Sequence, residues 1–147
     1  MSYTQILYQI VFSTKGRVPC LIKSNRDTLF KYITGIIQQK NCFLYIINGV
    51  EDHIHILMDL HPGVCLADMV KEIKVSSSRF IKENNLFPQF RGWNTGYGAF
   101  TYSIREKKIL INYILNQESH HHKTSSTEEM VCLLKEHEVD FKMEYLP

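Results

Sequence analysis

Between Phe43 and Leu60 the chain reads FLYIINGVEDHIHILMDL, two apolar segments of strand length around a tight polar turn at Asn48 to Asp52. Phe43 to Val50 and His53 to Leu60 are thereby expected to pair as an antiparallel hairpin. The flanking segments extend the pattern. From Tyr3 to Ser13, Ile6, Tyr8, Ile10 and Phe12 alternate with Gln5, Leu7, Gln9 and Val11, the period of a strand, and the half-apolar second face points to a central one. Ser24 or Asn25 can cap a helix running to about Lys40, with Leu29, Ile33, Ile36 and Ile37 as its apolar stripe. Leu66 to Asn85 repeats that stripe through Leu66, Met69, Val70, Ile73, Phe80 and Ile81, and a Pro- and Gly-bearing loop, LFPQFRGWNTGYG, follows it. Ala99 to Ser103 reads as a fourth strand, Ile104 to about Gln117 as a third helix, and Glu128 to His137 as a last one. The order β-α-β-β-α-β-α is that of an α+β, ferredoxin-like antiparallel sheet with helices mainly on one face. The other face is expected to stay free for a site or a partner.

Length and composition narrow the setting. A chain of 147 residues suits one domain, residues 1–147, with a core large enough to stand without disulfides. Its 44% hydrophobic and 22% charged content are those of a globular protein. No apolar run reaches the roughly 20 residues that span a bilayer, so no membrane role is expected. The N-terminal stretch lacks a basic leader and a small-residue cleavage site, which points to the cytoplasm. Cys20, Cys42, Cys65 and Cys132 lie far apart with no CxxC pair, as reduced structural thiols do. Charge is uneven. Leu66 to Lys108 holds eight Lys or Arg against four Asp or Glu, and Ile109 to Pro147 three against seven. The basic middle third is where a polyanion would be held, or else simply a solvated helix face.

Two places carry candidate chemistry. On a strand, residues i and i+2 point the same way, so His53 and His55 share one face while Ile54, Ile56 and Met58 take the other. Two neutral imidazoles on a rigid sheet suit a divalent ion. On that spacing alone, two surface histidines on a half-exposed strand are the simpler reading. The second place is INYILNQESHHH, Ile111 to His122. On one helix Tyr113 and Gln117 lie a turn apart on the same face. Tyr113 offers a phenol that can act as a covalent nucleophile, and Gln117 a carbonyl oxygen for a metal; Tyr113 also suits plain amphipathic packing.

The HxH strand after a hairpin, the basic second helix, the segment WNTGYGAFTYS and the helix reading YILNQ followed by histidines together resemble one family. It is that of the single-tyrosine HUH transposases of small insertion sequences, with their relatives associated with repetitive extragenic palindromes. The resemblance runs from YQIVFSTKGRVPCL to the terminal FKMEYLP. It implies a ferredoxin-like fold, a homodimer, and a substrate of single-stranded DNA with hairpin ends. It implies that His53 and His55 bind Mg²⁺ or Mn²⁺ with Gln117 as third ligand, and that Tyr113 joins covalently to the DNA through a 5′-phosphotyrosine. A tyrosine hydroxyl with a pKa near 10 needs such help to become a nucleophile. Lys71, Lys74, Arg79 and Lys82 on the second helix, with Arg91 and Trp93 in the next loop, are candidates for gripping phosphates and stacking a base. His120 and His121 match a histidine pair of the family pattern, and His122 extends it. Two other readings compete with the transposase. One is a domesticated relative that binds hairpins of repetitive palindromes without autonomous transposition. The other is an unrelated metal-dependent hydrolase using HxH and His120 to His122, which leaves the YxxxQ spacing unexplained.

Overall fold

A computed structural model describes all 147 residues. The elements are β1 (Leu7–Ser13), α1 (Lys23–Gln39), β2 (Phe43–Gly49), β3 (His53–Asp59), α2 (Leu66–Glu83), β4 (Gly98–Tyr102), α3 (Lys107–Leu115), α4 (Gln117–His121) and α5 (Ser126–Glu136), with short 3₁₀ turns at Lys15–Arg17, Ile104–Glu106 and Met143–Tyr145. The strands form one antiparallel sheet in the order β2-β3-β1-β4, the ferredoxin-like arrangement. β3 and β1 are its central pair, with His53 opposite Ser13 and His55 opposite Val11.

The main core lies on one face of the sheet. Ile10 and Phe12 of β1 and Ile54, Ile56 and Met58 of β3 pack there against Leu29, Ile33, Ile36 and Ile37 of α1 and Met69, Val70 and Ile73 of α2. Both long helices end alike. After α1, Asn41 takes a positive φ of 58° and the amides of Asn41 and Cys42 donate back to the carbonyls of Gln38 and Ile37. After α2, Asn85 (φ 47°) and Leu86 return to Lys82 and Ile81 in the same way. Asparagine tolerates the left-handed conformation such a stop requires. The β2–β3 turn depends on Gly49, since a Cβ there would collide with the His53 carbonyl and the Ile54 side chain.

The structure departs from the expected boundaries at several points, each for a tertiary reason. β1 begins at Leu7, because the Ile6 amide is taken by the Asp59 carboxylate. α1 starts at Lys23 without a side-chain cap: Asn25 sends its amide to the Leu86 carbonyl instead. The single helix expected over Ile104 to Gln117 is divided into a 3₁₀ turn, α3 and α4, with a break at Asn116 (φ −96°, ψ 26°). Nor is the second face of the sheet free. α3 packs Leu110 and Ile114 on Leu7 and Leu57, and α5 packs Met130, Leu133 and Leu134 on Val11 and Phe100. No helix is long and apolar enough to cross a membrane.

Candidate active site

His53 and His55 are 1% and 0% exposed, so the surface-histidine reading does not hold. Strand alternation sends both rings into the layer between the sheet and α3 to α5. What meets them there is a carboxylate from α5, the 3%-exposed Glu129. Its Oε1 lies 3.0 Å from His53 Nε2, 2.8 Å from His55 Nε2 and 3.1 Å from His121 Nε2. Its Oε2 accepts a hydrogen bond from the Tyr113 hydroxyl and another, at 3.2 Å, from the Gln117 amide, and lies 3.3 Å from His120 Nε2. One buried carboxylate thus stands between an imidazole cluster and a phenol. The Tyr113 and His55 rings of this one chain have centroids 6.0 Å apart.

The helix break at Asn116 helps place these groups. Asn48 of β2 donates its amide to the Ile114 and Leu115 carbonyls at 2.9 and 3.1 Å, satisfying acceptors that the end of α3 leaves open. α4 then restarts at Gln117, which is fully buried and accepts from His121 Nε2 at 2.9 Å. Tyr113 and Gln117 therefore meet the same carboxylate from two helices rather than from one.

Outer partners orient the imidazoles. His53 Nδ1 lies 2.7 Å from Asp52 Oδ1, and Asp52 Oδ2 accepts from the Ser126 hydroxyl. His55 Nδ1 lies 2.9 Å from the Gln9 side-chain amide, whose oxygen accepts from the Tyr102 hydroxyl at 2.8 Å. Carboxylates and amides behind an imidazole set its tautomer and the direction of its other nitrogen. Buried side-chain nitrogens and oxygens all have partners.

The electrostatics follow from burial and pairing. Burial pulls His53 down, but its hydrogen bonds to Asp52 and Glu129 and their charges prevail and lift its pKa to about 9. Burial dominates at His55, whose pKa falls. Burial works to raise Glu129, yet hydrogen bonds from His121, His53 and His55 hold it well below the usual carboxylate range. Tyr113 moves up, through burial first and then the hydrogen bond and charge of Glu129. Tyr113 is therefore a poor nucleophile while that carboxylate faces it with no cation between them.

The ligand atoms of His53, His55, His121 and Glu129 all lie within 4.8 Å of one another. Three imidazoles and a carboxylate, with a glutamine oxygen beside them, form a donor set that fits a divalent cation. A cavity of about 420 Å³ opens beside Tyr113 and Glu129, lined also by Gln9, Tyr102 and His120. On the far side a second, of the same size, is lined by Lys23, Arg26, Glu118 and His121.

Of the residues singled out in the sequence, His53, His55, Tyr113 and Gln117 converge. Lys71, Arg79, Lys82 and Arg91 are exposed, the first three on α2 across the sheet from the imidazoles. Lys74 and Trp93 are committed elsewhere. Lys74 donates to the Asn94 and Gly96 carbonyls and lies 5.5 Å from the Phe12 ring centroid, and burial lowers its pKa. Trp93 packs edge-on with Phe12 and Phe90 and donates to Ser77 Oγ at 2.9 Å. These contacts pin the loop after α2 to the core. Sequence reasoning missed Glu129, Asp52 and Gln9. Glu129 has a detectable signal, an acidic residue in line with the buried stripe Ser126, Met130 and Leu133 of α5.

The family model for IS200-like transposases matches residues 2–117. The chain belongs to that family. Among IS200-like transposases, the ISDra2 transposase TnpA of Deinococcus radiodurans is 27% identical over 118 residues, spanning 77% of this chain and 84% of that protein. The crystal structure of a candidate transposase from D. radiodurans R1 superposes with a TM-score of 0.63 at 26% identity, covering 79% of this chain and 93% of that one. A REP-associated tyrosine transposase bound to a REP hairpin shares the fold with the same TM-score at 14% identity, covering 82% and 72%. The matched segment ends at Gln117, so His121 and Glu129 lie outside it.

Proposed function

We propose that this IS200-like transposase cleaves and rejoins single-stranded DNA at insertion-sequence ends through Tyr113, with a divalent cation, Mg²⁺ or Mn²⁺, held by His53 and His55 and supplemented by Gln117. The observation that supports this most is the convergence of the Tyr113 hydroxyl and both imidazole Nε2 atoms on the single Glu129 carboxylate. A phosphate placed there touches nucleophile and cation ligands at once. The bound cation supplies charge stabilisation at the phosphate oxygens and favours the phenolate. Tyr113 Oη forms a bond to phosphorus as the bond from phosphorus to the 3′ oxygen breaks. The product is a 5′-phosphotyrosine and a free 3′-hydroxyl. The phenol proton leaves toward His120 Nε2, 3.3 Å from the hydroxyl, and the departing 3′ oxygen takes up a proton to become the hydroxyl. The ester link keeps the phosphodiester's energy, so attack by a second 3′-hydroxyl rejoins strands without ATP.

Exposed Lys71, Arg79, Lys82 and Arg91 are proposed to hold the phosphates of a DNA hairpin; the REP-associated structural neighbour is bound to a REP hairpin. Replacing all four by alanine is expected to flatten the salt dependence of DNA binding, by roughly one unit of log–log slope per lost contact. An unchanged slope in a salt titration by fluorescence anisotropy removes these residues from the interface. Exposed Ile109 and Leu115 on α3 and Phe43 on β2 are apolar surface on which a homodimer could form.

The reaction is tested by incubating the protein with end-labelled single-stranded DNA carrying flanking hairpins and Mn²⁺, then running a denaturing gel. A covalent protein–DNA adduct is expected, and none with Tyr113→Phe. An adduct that persists in the Phe variant assigns the nucleophile elsewhere. Hairpin binding with no adduct under any divalent ion favours the domesticated, binding-only relative.

A further inference from the structure

We propose that Glu129 is an exchangeable ligand of the cation: with His121 it completes the ligand set in DNA-free protein, and its carboxylate holds the place that a DNA phosphate takes during cleavage. The inference rests on the metal reading given above and adds His121 and Glu129, which lie beyond the residues, 2–117, that the family model matches.

Three observations carry it. First, the contact pattern is that of a ligand. Glu129 Oε1 faces three imidazole Nε2 atoms, all within 3.1 Å, and two of those rings are turned by partners on their other nitrogens, Asp52 behind His53 and Gln9 behind His55. A buried carboxylate is tolerated only where charge and hydrogen bonds compensate it; here protonated imidazole does so, and a divalent ion does so with less proton bookkeeping. Second, the position is fixed by the fold. Ser126, one helical turn before Glu129 on the same buried face of α5, donates to Asp52 Oδ2 and accepts from Arg17 at 2.9 Å. That contact ties the start of α5 to the residue that orients His53. Third, the other carboxylate oxygen faces the Tyr113 hydroxyl. A phosphate under attack by Tyr113 and bound to a cation at the imidazoles must lie between those two groups, where the carboxylate now stands. Carboxylate and phosphate are both anionic oxygen donors, so one can replace the other on the ion without stranding it.

His121 gives the site a third imidazole, which suits a divalent transition ion, while the Glu129 carboxylate supplies the oxygen donor that Mn²⁺ favours. Gln117 Oε1 lies 2.9 Å from the same His121 Nε2, so it stands among the donor atoms that would face the cation.

The test uses the full chain, stripped with chelator, in two measurements. Mn²⁺ affinity is read by electron paramagnetic resonance of the free ion for the unmodified protein, His53→Ala and Glu129→Gln. Both substitutions are expected to weaken Mn²⁺ binding by about tenfold or more, as loss of groups that build a metal site does. Binding of a single-stranded oligonucleotide is then measured at saturating Mn²⁺, where Glu129→Gln is expected to bind it several-fold more tightly, the internal competitor having gone. Weakening by His53→Ala with no change in Glu129→Gln overturns Glu129 as a ligand and leaves the metal reading standing. No Mn²⁺ binding by the unmodified protein overturns both. Weaker oligonucleotide binding by Glu129→Gln at saturating Mn²⁺ overturns the exchange. Should the variant fail to fold, Mn²⁺ broadening of histidine ring resonances in the unmodified protein decides: His121 is expected to broaden with His53 and His55 while exposed His122 stays sharper, and a sharp His121 overturns the completed ligand set.

Discussion

A histidine with Asp52 2.7 Å from one ring nitrogen and Glu129 3.0 Å from the other is under strong pressure to keep both protons when no cation is present. His53 therefore has its pKa raised to about 9, above the ordinary 6.5 of the imidazole. The sign follows from the direction. A group whose folded pKa exceeds its unfolded one contributes stability that is fully present below about 6.5 and is lost as pH rises through about 9. In chelator-treated protein the His53 ring is expected to titrate near 9 by NMR and to fall toward 6.5 in Asp52→Asn. A midpoint near 6.5 in the unmodified protein removes the two-carboxylate account. At this scale the sequence was informative where residues repeat a local pattern. The i, i+2 spacing of His53 and His55 and the i, i+4 spacing of Tyr113 and Gln117 can be read from neighbouring letters. The partner of Glu129 cannot: its place in line with Ser126, Met130 and Leu133 marks it as turned inward, but that it meets His53, across 76 positions, is not written in neighbouring letters.

At the level of elements, the hydrophobic periods located all four strands and the two long helices to within a few residues, because each turns an apolar face to a buried cluster, β4 through Phe100 on the side of α5 and the others in the main core. The break between α3 and α4 was illegible for a physical reason. INYILNQ carries no glycine or proline, and the helix is interrupted by Asn48 of β2, which takes the Ile114 and Leu115 carbonyls. Tertiary hydrogen bonding overrides local propensity there. Asn48→Ala removes both bonds and is expected to cost about 1–3 kcal/mol, read from urea denaturation. It should also loosen Gln117, seen as faster amide exchange in α4 with α1 unchanged. An intact stability would mean that water replaces Asn48 at no cost and that the break has another origin.

Across the whole molecule the two faces of the sheet are held very differently. The α1 and α2 face shares a cluster of 21 buried hydrophobic residues, whereas the face carrying the site has clusters of five and four. With so little apolar burial, α5 depends on polar ties: Arg17 to Ser126, Ser126 to Asp52, and Glu129 to the imidazoles. Segments with few buried apolar contacts open at lower free energy than the core. The layer that fills the expected open face is therefore the part of the fold best able to move aside for a DNA strand. Hydrogen exchange on the chelator-treated protein should show the amides of Ser126–Glu136 exchanging before those of α1 and α2. Arg17→Ala should speed α5 further, by the several-fold expected when a hydrogen bond worth about 1 kcal/mol is lost, without altering α1. Mn²⁺ should slow α5 in both proteins by tying Glu129 down. If α5 proves as protected as α1, or if Arg17→Ala speeds both helices equally, the polar ties are not what holds this layer, and entry of DNA must proceed with α5 in place.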